Sequence, residues 1–117
     1  MNKLSLTAAA REQGRRAAAA PGGRAAETVY GGHEHHLRQT VIALTAGSVL
    51  DEHENPGEAT VQVLHGRVRL DAGNVSWDGM SGDLIVVPQE RHSLTAVEDA
   101  AASAVLNSAL EERNTFR

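Results

Sequence analysis

The sequence contains no cysteine, which excludes disulfide bonds, thiolate catalysis and cysteine-bound zinc or iron–sulfur sites. A chain without cysteine suits a reducing compartment, so we expect a cytoplasmic protein. Aromatic residues are also scarce, at 3% of the chain. Valine, leucine, isoleucine and alanine must therefore fill the core, and the β-branched residues among them favour strands.

Long apolar runs are missing as well. No stretch approaches the roughly 20 apolar residues that a membrane-spanning helix needs, and the first residues lack the apolar segment of a secretory signal. We therefore expect no membrane partner. With 117 residues, the chain has the length of one domain with a single core.

Charge is divided unevenly along the chain. The formal net charge is −4 for the whole chain and +4 for residues 1–24, which leaves −8 for residues 25–117. Nucleic acid is bound through clustered lysine and arginine side chains that contact phosphates. An acidic body of this kind argues against a nucleic-acid partner.

The first 24 residues differ in composition from the rest. Residues 7–20 are rich in alanine and arginine, with Thr7 as a candidate N-cap and Pro21 as a stop, which predicts a helix. Because few of its side chains are larger than alanine, we expect this helix to bury little apolar surface. We assign residues 1–24 to the helix and a linker, and residues 25–117 to one β-domain.

From residue 37 onward the apolar pattern has the period of a strand, and glycine, proline and asparagine mark the turns. About eight short strands without an intervening helical pattern are typical of an antiparallel sandwich or barrel, an all-β fold. The predicted strands are Leu37–Leu44, Val49–His53, Ala59–Leu64, Arg67–Asp71, Val75–Trp77, Asp83–Val87, His92–Val97 and Ala102–Leu110.

Two segments within this region resemble the conserved motifs of the cupin superfamily. The segment from Gly47 to Gly66 resembles motif one, in which a glycine, five residues, His-x-His, a glutamate and a second glycine follow in order. The segment from Gly82 through Pro88 to His92 resembles motif two. The resemblance implies a cupin-type double-stranded β-helix, a jelly-roll barrel of the kind found in small single-domain bacterial cupins, which usually form homodimers.

Four positions in these motifs hold the metal in cupins, and this sequence keeps only two of the ligands. His53 and His92 stand at ligand positions, whereas Asn55 replaces the second histidine and Ala59 replaces the glutamate. The resemblance therefore implies at most a weakly held divalent transition metal, such as iron, manganese, nickel or zinc, on His53 and His92. The Asn55 carbonyl oxygen is a further, weak donor; otherwise we expect no cofactor.

Other polar residues can line the same pocket. In the run Gly31 to His36, the side chains of His33 and His35 share one face if the segment is extended, and they can supply ligands that motif one lacks. Arg38 lies on the polar face of the first long predicted strand. If that face looks into the barrel, Arg38 binds a carboxylate or phosphate; if it looks outward, Arg38 is only a solvated side chain.

The candidate ligand-binding residues are thus Arg38, His53, Asn55 and His92. Our first functional hypothesis is a protein that binds a small molecule in its barrel, with a degenerate metal site. The second is a metal-dependent cupin enzyme of the oxygenase or isomerase type, and the third is an interaction module in which the helix contacts a partner. The sequence does not decide between a catalytic and a non-catalytic role.

Overall fold

The computed structural model describes residues 3–32, 34–53 and 57–107, without the side chains of residues 52 and 53. Within these residues one helix precedes nine strands. The elements are α1 (Leu6–Ala19), β1 (Arg24–Tyr30), β2 (Leu37–Leu44), β3 (Val49–His53), β4 (Glu58–His65), β5 (Arg67–Ala72), β6 (Val75–Met80), β7 (Leu84–Val87), β8 (His92–Ala96) and β9 (Ala100–Asn107). The prediction of an all-β jelly-roll fold with a short N-terminal helix is confirmed.

The strands form two antiparallel sheets. The five-stranded sheet has the order β1-β2-β9-β4-β7, and the four-stranded sheet has the order β3-β8-β5-β6. Strands that are distant in sequence are neighbours in both sheets, as a jelly roll requires. The core residues alternate along their strands, so one face of each sheet looks into the core.

The core lies between the two sheets and consists of aliphatic side chains. Its size is modest because many positions are alanine, which agrees with the low aromatic content. The buried members of this cluster are Leu44, Val61, Val63, Val68, Leu70, Ala72, Ile85, Val87, Leu94, Ala96, Ala100 and Ala102.

The helix α1 packs on the outer face of the five-stranded sheet. Ala17 is buried in a cluster with Ala43 and Ala101 from that face. Gln13 is only 1% exposed, and its Nε2 atom donates a hydrogen bond to Glu27 on β1 at 3.0 Å. Ala17 is the one apolar residue of α1 that is buried, which agrees with the expectation that the helix buries little apolar surface.

The N-terminal cap of α1 lies two residues earlier than the sequence suggested. Ser5, not Thr7, is the N-cap residue, and its hydroxyl accepts a hydrogen bond from the backbone N–H of Ala8. Both residue types are good caps, so composition alone does not choose between them. No helix in the described ranges is long and apolar enough to cross a membrane.

The strand β1 was not predicted, because its sequence was assigned to the linker and the start of the barrel. It pairs with β2 along nearly its whole length, from Arg24 opposite Leu44 to Tyr30 opposite Gln39. It is an edge strand with five exposed positions out of seven, so it lacks the apolar alternation on which the prediction depended. At the other end of the chain, the part of the predicted strand Ala102–Leu110 beyond residue 107 lies outside the described residues.

The carboxyl group of Asp71, on the outer face of the four-stranded sheet, has a lowered pKa. The hydroxyl of Ser76 donates a hydrogen bond to Asp71 and is the main reason why the pKa of Asp71 lies below 3.8; burial opposes this effect, and Arg69 adds to it. A carboxyl group whose pKa is lower in the folded protein than in the unfolded chain stabilises the fold at pH values above the unfolded-state pKa. This stabilisation is lost as the pH falls through the folded-state pKa. Stability should therefore decline below about pH 4.

We expect Ser76→Ala to raise the pKa of Asp71 toward 3.8 and to flatten that decline. The measurement is an NMR titration of the Asp71 carboxyl carbon, together with melting temperatures between pH 5 and pH 3. An unchanged Asp71 titration in Ser76→Ala would show that the hydroxyl does not set the pKa.

Candidate ligand site at the mouth of the barrel

One end of the barrel is defined by two short connections between the sheets. Strand β3 ends at His53 and β4 begins at Glu58, while β7 ends at Val87 and β8 begins at His92. The start of β2 lies at the same end, because Leu37 pairs with Asn107 on β9 and Asn107 pairs with Glu58. All strand ends that carry the predicted site residues therefore meet at one end, which we call the mouth.

In the five-stranded sheet, four side chains form one row across the mouth. Arg38 pairs with Leu106, Leu106 pairs with Ala59, and Ala59 pairs with Val87. Ala59 packs against the core cluster and Val87 belongs to it, so this row lies on the inner face. Arg38 is thus in inner register, at the exposed end of its strand.

The four-stranded sheet contributes a second row at the same end. His53 pairs with His92, His92 pairs with Ala72, and Ala72 pairs with Val75. Ala72 is buried in the core, which places this row on the inner side as well. Two histidine positions therefore adjoin each other on one sheet and face the row of Arg38 and Ala59 on the other.

An irregularity in β3 brings His53 into this row. Leu50 pairs with Leu94 and His53 pairs with His92, so three residues on one strand span two on the other. Such a β-bulge shifts the register by one position. Leu50 packs on the core. Without the bulge, regular pairing from Leu50 onward would not bring position 53 opposite His92.

The imidazole of His92 is buried and oriented by the backbone. It is 4% exposed, and its Nδ1 lies 2.9 Å from the carbonyl oxygen of Glu90. A carbonyl oxygen only accepts hydrogen bonds, so Nδ1 carries the proton in this contact. In the neutral ring the lone pair is then on Nε2, the atom suited to accept a proton or a hydrogen bond from a ligand.

Polar side chains continue inward from Arg38. Thr40 pairs with Ala104, a residue packed on the core, and its hydroxyl lies 3.3 Å from the hydroxyl of Thr28. No ion pair of Arg38 with another side chain occurs in the described part of the chain. The β1–β2 side of the mouth therefore offers a guanidinium and hydroxyls, while the β4–β7 side is apolar.

The residues at the mouth do not fit a four-ligand metal centre. Ala59 stands where cupins carry a glutamate, and its methyl group offers no donor atom. Across residues 3–32, 34–53 and 57–107 no group of three or more histidine, aspartate or glutamate side chains is arranged to hold a metal ion. Glu58, the neighbour of Ala59, is exposed and pairs with Asn107.

Three further residues were predicted to contribute to the site, and the structure describes only one of them, His35. Asn55 and His33 lie outside the described residues. His35 is exposed, and its ring centre lies 5.3 Å from that of Tyr30. Tyr30 pairs with Gln39, whose amide donates to the buried Ser103 at 2.8 Å on the outer face, so this histidine is placed beside an outer-register residue.

Sequence reasoning missed the apolar half of the mouth. Leu106, Ala72 and Val75 occupy the two rows, yet none carries a chemical signal in the sequence. Their positions follow from the pairing of β9 with β2 and β4, and of β5 with β6 and β8. These long-range pairings are not encoded in local periodicity.

Comparison with known proteins supports the fold. No family model matches the sequence, and no curated protein matches it. Among solved structures, a conserved protein of unknown function from Streptococcus pyogenes is similar with a TM-score of 0.68 and 26% identity, over 75% of this chain and 76% of that one. A cupin superfamily protein from Desulfitobacterium hafniense is similar with a TM-score of 0.67 and 13% identity, over 72% and 76% of the two chains.

A third similarity includes the N-terminal helix. Salicylate 1,2-dioxygenase from Pseudoaminobacter salicylatoxidans, solved as adducts with gentisate, has a TM-score of 0.73 and 23% identity. The match covers 98% of this chain but only 35% of the dioxygenase, so this chain corresponds to about a third of that protein. The two-sheet topology and these similarities agree that this chain has the fold of the cupin superfamily.

Proposed function

We propose that this protein binds a small organic acid at the mouth of its barrel, without needing a metal ion. The observation that carries the proposal is the inner register of Arg38, in the row that faces the histidine positions. A guanidinium forms paired, charge-assisted hydrogen bonds with a carboxylate. The apolar residues of the same row, Leu106, Ala59 and Val87, suit the carbon body of such a ligand.

The buried imidazole of His92 completes this arrangement. With Nδ1 donating to the Glu90 carbonyl, Nε2 of the neutral ring is an acceptor, which suits a hydroxyl group on the ligand and not its carboxylate. The alanine at position 59 removes the carboxylate that would otherwise bind metal and repel an anionic ligand. A complete cupin motif without its metal would present a negative glutamate to the ligand. Because the mouth has alanine at that position, it is the better site for an anion.

Benzoate is a suitable probe, because it combines a carboxylate with a compact apolar ring, and gentisate in the dioxygenase adducts is also an aromatic carboxylate. In an NMR titration we expect benzoate to shift the backbone amides of Ala59, Ala72 and His92. Arg38→Gln should weaken binding about tenfold to a hundredfold, because a hydrogen bond to a charged group contributes about 1.5–3 kcal/mol. The exposed Arg16→Gln is the matched control for loss of one charge.

Two further comparisons complete the test. Benzamide, which has the same shape without the charge, should bind weakly to the wild type and be insensitive to Arg38→Gln. Treatment with a chelator should leave the benzoate affinity unchanged. Benzoate shifts that avoid both rows, or that persist in Arg38→Gln, would refute the proposal, and a loss of binding on chelation would favour a metal-dependent site.

A further inference from the structure

A concave site lies outside the barrel, at the end opposite the mouth. It is a half-open groove of about 600 Å³ between α1 and the outer face of the five-stranded sheet. Its volume is within the range of about 300–1,000 Å³ that small-molecule sites occupy. The groove is lined by one stripe of the helix and by the ends of β2 and β4 and the start of β9.

Gly14 keeps this groove open. It lies in the middle of α1 and lines the groove, and a Cβ atom built there meets nothing within 4 Å. A glycine inside a helix costs roughly 1 kcal/mol relative to alanine, and no close packing requires the glycine here. The side chain missing at position 14 leaves room that a ligand can occupy.

A β-bulge turns His65 toward the groove. Val63 pairs with Ala102 and His65 pairs with Ala101, so Leu64 is the extra residue. Val63 belongs to the core, whereas Ala101 lies under the helix. The register shift therefore places His65 on the outer face with Ala101, and Leu64 and His65 both line the groove.

The charged side chains around the groove favour an anion. Arg11 lines it and forms no ion pair within the described residues, while Arg15 is paired with Glu12. The single acidic side chain of the lining, Asp99, already accepts a hydrogen bond from the backbone N–H of Ala46 at 2.8 Å. The floor is apolar and consists of Ala10, Ala17, Ala18, Leu44, Leu64, Ala100 and Ala101.

We propose that this groove binds an amphipathic organic anion, with its apolar body over the alanine floor and its acidic group on Arg11 and His65. The site is separate from the mouth of the barrel and does not depend on the proposed function there. Gly14 determines access to it, and Arg11 supplies the charge that selects anions over neutral compounds.

The probe is 8-anilinonaphthalene-1-sulfonate, an amphipathic anion whose fluorescence rises in apolar surroundings. Its neutral relative N-phenyl-1-naphthylamine tests the charge. We expect one saturable sulfonate site per chain in the folded wild type. Gly14→Leu should weaken binding at least tenfold while the melting temperature stays equal or rises, since leucine is the better helix former.

Arg11→Gln should weaken binding of the sulfonate about threefold to tenfold and leave the neutral compound unaffected, whereas the control Arg16→Gln, at a position outside the groove, should change neither. Arg38→Gln should leave the sulfonate site intact, which separates this result from the benzoate test. Unchanged sulfonate binding in Gly14→Leu would overturn the proposal. Loss of that binding in Arg38→Gln alone would place the sulfonate in the barrel and overturn it as well.

Discussion

Replacing Asn55 by histidine together with Ala59 by glutamate is expected to convert the chain into a protein that binds a first-row transition metal tightly. The double variant restores the two ligand positions at which the motif departs from the cupin pattern. Ala59 lies on the inner face, in the row that faces the His53–His92 pair. Three imidazoles and one carboxylate form a ligand set that suits nickel, manganese, iron or zinc.

The expected result is a gain of stability that depends on metal. A metal that binds only the folded state stabilises it by about 2.7 kcal/mol at a hundredfold excess over its dissociation constant. Without metal, the double variant should be less stable than the wild type, because Ala59 packs against the core and a larger, charged side chain strains that packing by about 1–3 kcal/mol. Melting curves with and without nickel or manganese, with elemental analysis, measure both effects.

The matched control is Asn55→His with Ala59→Gln, which has the same size but lacks the carboxylate. It should bind metal more weakly and gain less stability. The wild type should hold only substoichiometric metal that a mild chelator removes. One tightly bound metal per wild-type chain would show that other residues complete the site, and a folded double variant without metal would show that positions 55 and 59 are misaligned with the ligand positions.

Sequence reasoning located most of the strands because their alternation and turns are local. The bounds of β2 and β3 were predicted without error, and glycine or asparagine marks the turns that follow β4 and β5. The strand β1 was missed because an edge strand that is mostly exposed needs no apolar alternation. The small apolar burial of α1 was predictable from its alanines, but the contact of Gln13 with Glu27 was not, because Glu27 lies on the strand that the sequence did not reveal.

The candidate site could be predicted only in part, because strand register depends on bulges and long-range pairing. Sequence placed His53 and His92 in the motif, but the bulge that sets them side by side changes the strand register and has no local sequence signature. The same is true of His65, which a second bulge turns to the outer face. Whether Arg38 looks inward was open in the sequence, and the pairing of β2 with β9 decides its register.

Replacing Gly66 by alanine is expected to destabilise the fold more than replacing Gly82 by alanine. Gly66 ends the first motif, between β4 and β5, with a φ angle of +79°. A Cβ atom there would lie 2.1 Å from the carbonyl oxygen of Asp99 and 2.9 Å from the Cα atom of Ala100. Both neighbours are backbone atoms, in the residue before β9 and in its first residue, so neither can rotate away.

The cost has two parts that add. A left-handed conformation costs a non-glycine residue about 1–2 kcal/mol, and forcing extra volume into a packed site costs about 1–3 kcal/mol. Gly66→Ala should therefore lower the free energy of unfolding by about 2–5 kcal/mol. In a domain of this size, that corresponds to a fall in melting temperature of roughly 10 °C or more.

Gly82→Ala is the matched control, because Gly82 also has a positive φ angle, +94°, but a Cβ atom there meets nothing within 4 Å. It should cost only the conformational part, about 1–2 kcal/mol. Denaturant unfolding of both variants separates the two contributions, since the difference between them reports the contact with Asp99 and Ala100. Equal losses would mean that the turn between β4 and β5 moves away from Asp99 and Ala100 at no cost, and that the close approach at Gly66 does not require a glycine.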